Sequence, residues 1–315
     1  MVVKIKHNKF MLHDALLKDD AVHESSVTGN VETWYYDAML NNGYSAVTLI
    51  NLARFLNTGF VVTSFFIYKN SKLVKSHRQR YSIKKFHGSF EKLYIKINSN
   101  DLINVNTNTK SERWMYTLSI GDEDNGIYLN LEKKSKAWLG KTYLGRWLVI
   151  PRFKVDGFIY LNKTRIKVFG DGYHDHNIYP IYAPFINKGY HFGKIRCRSI
   201  DVIWAKVSKN DKKQETIVVL NKDDRVILIP SEDVSFVIEE KIKDHHKTIP
   251  ISFHLNVDNS FLFLDARINT IDFHHINAPS VNYWRHHVKN TGEIRFNSES
   301  HEIQNTEIME QLIFL

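Results

Sequence analysis

The chain has 315 residues, 43% of them hydrophobic, 13% aromatic and 24% charged, a balance normal for a globular protein and long enough for two cores. No run approaches the ~18 consecutive apolar residues of a membrane-spanning helix, the first twenty residues carry no secretory pattern, and the single cysteine, Cys197, excludes an intramolecular disulfide framework. The net charge of +9 does not single out nucleic acid, because Lys and Arg are scattered along the chain and a basic balance alone gives only salt-sensitive attraction.

In chain order, residues 10–17, FMLHDALL, predict a short helix, and Glu24 to Asn30 a loop. From Trp34 the pattern changes to runs of β-branched and aromatic residues separated by Asn, Asp, Gly and Ser, the pattern of strands and turns. WYYDAML and YSAVTLINLA flank Asn41-Asn42-Gly43, an Asn-Gly step suited to a hairpin because both residues tolerate positive φ. FVVTSFFIY follows, and then the densest basic run, Lys69 to Lys85, with Val and Tyr interspersed as in an exposed strand pair. KLYIKI, WMYTLSI, GIYLNLE, FKVDGFIYL, IDVIWAKV, TIVVL, VILI and SFVIEEKI continue the series. Many short strands at this spacing predict an all-β chain of barrel or sandwich type, with enough strands for two.

VDGFIYLN at 155–162 and NTGEIRFN at 290–297 share Gly, Ile and Asn at one offset, each shortly after a tryptophan, Trp147 and Trp284. Gly ahead of an alternating strand fits a bend at a barrel corner, and the repeat suggests duplication. Two of the six prolines fall in PIYAPFINK, Pro180 to Lys188, which places a boundary there: a first domain over 1–183 and a second over 184–315.

The sharpest local feature is Gly170-Asp171-Gly172-Tyr173-His174-Asp175-His176-Asn177. The glycines allow a bulge or close approach. Strand alternation puts Tyr173, Asp175 and Asn177 on one face and His174 and His176 on the other. Polar residues on both faces conflict with simple core packing, and such conflicts concentrate at functional sites. His174 and His176 could hold one metal ion, but no third ligand is legible and none is expected. Cys197, between two arginines, reads as packing, and Asp265, Asp272, His274 and His275 read as a surface turn.

GYHDHN, preceded by a Val-x-Gly strand and by Trp147, resembles the signature of the carotenoid hydratase (hydroxyneurosporene synthase)/AttH family, itself similar in architecture to tocopherol cyclases and Diels–Alderase-like pericyclases. Glu32 to Ala38, ETWYYDA, resembles the Glu-Trp-Trp-Tyr-Phe-Asp-Ala strand of that family, and Tyr283 to Val288 with the closing TEIMEQLIFL resembles its last strands. The resemblance implies two tandem lipocalin-like antiparallel β-barrels and a ligand cavity. It also implies acid catalysis by Asp175 with Tyr173 as partner, and His174 and His176 holding the site. Trp34, Tyr36, Trp147 and Asn177 are then the substrate-binding residues. Hydration of an unactivated alkene needs a carboxyl group kept protonated by burial and ring faces to stabilise a cation. No cofactor is expected. The expected partner is a hydrophobic, isoprenoid-type small molecule, with no nucleic acid, with peripheral membrane contact compatible, and in a cytoplasmic setting. Three departures stand out: Thr33 in place of a Trp, His176-Asn177-Ile178-Tyr179 in place of His-Asn-Trp-Gly, and Gly145 in place of a His. Competing readings are a non-catalytic carrier or sensor of a hydrophobic metabolite, and a plugged module in which Asp175 is ionised and paired with Arg146 or Arg152.

Overall fold

The computed structural model describes residues 10–24, 29–56, 58–107, 114–142, 145–209, 214–278 and 281–314. Among them, thirteen strands form a first sheet. These are β1 (Met11–Asp14), β2 (Asn30–Leu40), β3 (Tyr44–Phe55), β4 (Thr58–Lys69), β5 (Lys72–Ser82), β6 (Phe86–Gly88) and β7 (Tyr94–Ile97). The sheet continues with β8 (Asn100–Thr107), β9 (Trp114–Gly121), β10 (Asn125–Lys133), β11 (Trp138–Thr142), β12 (Gly145–Leu161) and β13 (Thr164–Pro180). A second sheet holds β14 (Gly189–Cys197), β15 (Ile200–Ser208), β16 (Gln214–Lys222), β17 (Arg225–Leu228) and β18 (Val234–Asp244). It ends with β19 (Lys247–Asp258), β20 (Leu262–Ala278), β21 (Val281–Phe296) and β22 (Glu299–Phe314).

The order of the first sheet is β5-β4-β3-β2-β13-β12-β10-β9-β8-β7-β6, with β11 on β12 and β1 on β11; that of the second is β17-β16-β15-β14-β22-β21-β20-β19-β18. In each, the two outermost strands are consecutive in the chain: β5 reaches β6 through the 3-10 turn Ile83–Lys85, and β17 reaches β18 through Ser231–Asp233. Short links between the edges require each sheet to curl back on itself, and the sheets form two tandem lipocalin-like antiparallel barrels. The chain divides into two compact units, Met1–Ala38 with Ala46–Phe66 and Lys75–Ala183, and Met39–Ser45 with Ile67–Val74 and Pro184–Leu315.

The repeat has a structural counterpart. Gly157 and Gly292 both have positive φ, and a β-carbon on either would collide with the carbonyl of the neighbouring strand, Tyr128 O or Asp265 O. Asn162 and Asn297 both adopt the left-handed conformation at the turns of the β12–β13 and β21–β22 hairpins. At the Asn-Gly step, Asn42 and Gly43 take the positive φ expected of them. The core of the second unit is a continuous apolar cluster that includes Trp204, Phe253, Leu255, Leu264 and Ile303.

Four local expectations are corrected. Residues 11–14 form a strand rather than a helix, because the free edge of β11 offers a ladder and an eight-residue helix is marginal without packing. Strand β2 begins at Asn30, before Trp34; its inward positions include the polar Asn30 and Glu32, which hid the alternation. Residues 25–28 of the expected loop lie outside the described residues. The basic run contributes one edge strand, β5, whose charged side chains protect an unpaired edge. Asp265, Asp272, His274 and His275 lie within β20, where Asp265 pairs with His254 at 2.8 Å. Cys197 is buried and donates to the Glu302 carbonyl.

Candidate functional site

Strand β13 carries the GYHDHN segment, and its neighbour β12 shapes it. The register shifts by one residue between the pairs Ile150↔His174 and Phe153↔Gly172, so the bulge lies in β12 at Pro151 and Arg152. Proline has no N–H to give a ladder and settles at such bulges. Opposite it, Gly172 is needed for close approach, since a β-carbon there would sit 2.7 Å from Val155 Cγ2. Tyr173, His174, Asp175 and His176 are all buried, and alternation sorts the expected site residues into two groups.

The first group surrounds Asp175, which is 5% exposed. Tyr173 donates its hydroxyl to Asp175 Oδ2 at 2.9 Å, the Trp147 indole N–H donates to the same oxygen at 3.3 Å, and Asn177 Nδ2 donates to Oδ1 at 2.7 Å. All three donors are neutral. Burial pushes the Asp175 carboxyl up to about 6, against the pull of the Tyr173 hydrogen bond, His174 and Trp147, with Asp37 adding to the rise. Burial, and then the Asp175 charge, hold the Tyr173 phenol well above its ordinary value. Arg146, an expected partner of Asp175, instead pairs with Asp19 at 2.9 Å. The half-buried Trp147 packs edge-on against Trp138 at 5.0 Å.

The second group lies on the other face of β13. His174 places Nδ1 at 2.8 Å from the Tyr35 carbonyl and Nε2 at 2.9 Å from Asp20 Oδ1, with the Tyr36 ring stacked on it at 4.0 Å. His176 places Nε2 at 2.9 Å from Glu32 Oε1 and Nδ1 at 3.3 Å from Asp20, under the stacked Trp34 ring at 4.4 Å. Glu32 also receives His23 Nδ1 at 2.9 Å and Arg54 Nη2 at 3.1 Å, and Asp20 receives the Tyr116 hydroxyl at 2.8 Å. For Asp20, burial opposes ionisation, but His174 and His176 outweigh it and hold the carboxyl below the usual range. Glu32 is lowered in the same way by His176 and His23. Burial disfavours the charged His176 ring, yet Asp20 and Glu32 raise it. This face is an ion-pair network in which each carboxylate is held by at least two partners, while His176 Nδ1 and Arg54 Nε make no hydrogen bond.

Trp34 and Tyr36, expected beside the acid, thus stack on the imidazoles instead, and His174 and His176 do not converge on a shared ion. Ligand atoms of His23, Glu32 and His176 come within 4.8 Å of one another, but they are engaged in that network with Arg54. Sequence reasoning missed Asp20, His23, Arg54 and Tyr116. For Glu32 a signal existed, since Glu32, Trp34 and Tyr36 alternate inward along β2. A narrow crevice without room for a water molecule lies against Tyr36, Asp37, Leu118, Leu129 and Leu131.

The second sheet supplies an internal contrast. Measured from the hairpin turns, Glu310 on β22 occupies the place of Asp175 on β13. The pairs Tyr283↔Leu312 and Arg285↔Glu310 stand where Trp147↔Asn177 and Val149↔Asp175 stand. There the acid meets a cation: Arg285 Nη2 lies 3.5 Å from Glu310 Oε1 and donates to the Tyr283 hydroxyl at 2.8 Å, and Tyr283 bonds Glu310. The apolar Val149 at the corresponding place leaves Asp175 with neutral donors.

No protein-family model matches the sequence, and no curated protein does. Solved structures do match. An AttH candidate from Nitrosomonas europaea superposes with a TM-score of 0.72 at 14% identity, over 98% of each chain. Kievitone hydratase from Nectria haematococca gives 0.61 at 9% identity over 93% of each, and CghA with Sch210972 gives 0.52 at 9% over 97% of this chain and 98% of that one. The chain therefore has the fold of these AttH-type, kievitone hydratase and CghA structures, the fold that the GYHDHN resemblance implies.

Proposed function

We propose that the chain is a cofactor-independent hydratase- or cyclase-like enzyme acting on an apolar, isoprenoid-type substrate, with Asp175 as the proton donor. The observation that carries this reading is a buried carboxyl group among three neutral donors, raised to about 6. A general acid must hold its proton near working pH and be stronger than the groups around it. Transfer to an alkene carbon leaves a tertiary carbocation and an Asp175 carboxylate. Water then adds to the cation and returns a proton to Asp175, for a net addition of water. In the cyclase variant a second alkene attacks the cation, and the ring product loses the proton to Asp175. Trp147 and Tyr173 are held beside the acid by their hydrogen bonds to Oδ2, and aromatic rings at that distance favour a nearby cation. The shared fold with kievitone hydratase supports the hydratase branch.

The test is turnover of prenylated phenols and acyclic carotenoids in H2¹⁸O, read by mass spectrometry. The expected result is one labelled oxygen in product formed by the parent and none formed by Asp175→Asn. Unchanged product formation by Asp175→Asn would remove the acid from the mechanism.

A further inference from the structure

A pocket of about 320 Å³ opens in the first unit, lined by Val22, Arg54, Ile83, Phe86, His87 and Phe90. It belongs to the side of β13 away from Asp175, since Arg54 reaches that strand only through Glu32 and His176. Its volume falls at the lower end of the range for small-molecule sites, and apolar walls with one charged group are their usual composition. The charged group is Arg54, whose side chain is 13% exposed. Its Nη2 donates to the His23 carbonyl and to Glu32, and its side chain forms part of the pocket wall. Glu32 does not cancel this guanidinium alone, because His23 and His176 share that carboxylate.

The rim has two further properties. The 3-10 turn Ile83–Lys85 places the exposed Lys84 and Lys85 between the wall residues Ile83 and Phe86, and no Asp or Glu occurs from Lys75 to Phe90. A large apolar side chain is also bare, since Phe90 of the wall is 58% exposed. A basic approach with apolar surface at its edge attracts a molecule that is both anionic and greasy.

We propose that this pocket binds an amphiphile with an anionic head and an apolar chain, the head paired with the Arg54 guanidinium that lines the pocket and the chain lying along Ile83, Phe86 and Phe90. The site is separate from Asp175 and does not depend on the reaction proposed there. The probe is 11-(dansylamino)undecanoic acid, titrated against the full chain by fluorescence, beside its uncharged methyl ester. The expected result is saturable binding of the acid, with the ester weaker by about ten-fold for loss of the charge-assisted bond. Ile83→Trp, which fills the pocket from a half-exposed turn, should abolish binding of both. Arg54→Gln should bring acid and ester to the same affinity. Because Arg54→Gln also touches the Glu32 network, Ile83→Trp is the decisive variant. Equal affinity of acid and ester for the parent, no binding of either, or unchanged binding to Ile83→Trp would overturn the proposal. Sedimentation with phosphatidylglycerol vesicles that Ile83→Trp abolishes would assign the head group to a bilayer lipid. Binding of the acid without sedimentation would assign it to a free amphiphile.

Discussion

Replacing Asp175 by Asn removes the charge and keeps the shape, and the seat of Asp175 dictates how stability must respond. The carboxyl titrates near 6 in the folded chain against an ordinary 3.8. A gap of that size corresponds to about 3 kcal/mol, and the group is buried, so solvent does not screen the effect. Its sign follows from proton binding. Between 3.8 and about 6 the folded state holds the proton and the unfolded state does not, so stability falls as pH rises through this window, and above it the whole cost is present. In Asp175→Asn, Tyr173 and Trp147 can still donate to the amide oxygen, and Asn177 can turn its own amide to accept. The variant should therefore gain on the parent by roughly 2.5 kcal/mol from pH 4 to pH 8, with most of the gain complete by pH 7. Urea unfolding of both proteins across this range, compared at each pH, isolates the contribution because groups away from Asp175 cancel in the difference. A difference independent of pH would mean that the carboxyl titrates normally, and the argument from burial would fail.

Val149→Arg places at Asp175 the cation that Glu310 has in Arg285. It should lower the carboxyl below its present value and eliminate turnover at neutral pH, visible as a shift to lower pH of the limb of the pH–rate profile that descends as pH rises. Glu32→Gln leaves Arg54 and His176 without their shared carboxylate and should destabilise the chain by about 3 kcal/mol near pH 6. Thermal unfolding checks this, and a change near zero would contradict the network. The same network sets a pH dependence. Support from the lowered Asp20 and Glu32 is present above their unfolded values of 3.8 and 4.5 and is lost as pH falls, while that of the raised His176 is present below 6.5 and is lost as pH rises past its folded value. Gly157→Ala and Gly292→Ala should each cost about 2 kcal/mol or more, because a β-carbon at either site meets a carbonyl of the adjacent strand.

The alternation of β13 was legible from residue types alone: Tyr173, Asp175 and Asn177 share a face and bond to one another, and His174 and His176 share the opposite one. The strand-and-turn punctuation also exposed the all-β architecture, because Asn-Gly and Gly positions have local conformational reasons. What sits across from those faces was not legible. Asp20, the partner of His174, lies 154 residues away on a short turn that follows the segment reading as helix. Nothing local marks its carboxylate as buried. Trp34 and Tyr36 looked like walls for the acid because rings and acid are all expected near a cavity. Which face of β13 they meet is decided by the register of β2 on β13. Arg54 carries no signal at all, since an arginine near a strand end reads as surface until Glu32 and the pocket are seen together.

The claim beneath the proposed chemistry is the protonation of one side chain, and carboxyl-carbon NMR of the ¹³C-labelled chain, assigned by comparison with Asp175→Asn, measures it directly. The Asp175 signal should titrate with a midpoint near 6, as its burial among Tyr173, Trp147 and Asn177 requires. A midpoint at or below the ordinary 3.8 would show an ionised carboxylate at neutral pH, and Asp175 could not then be the proton donor.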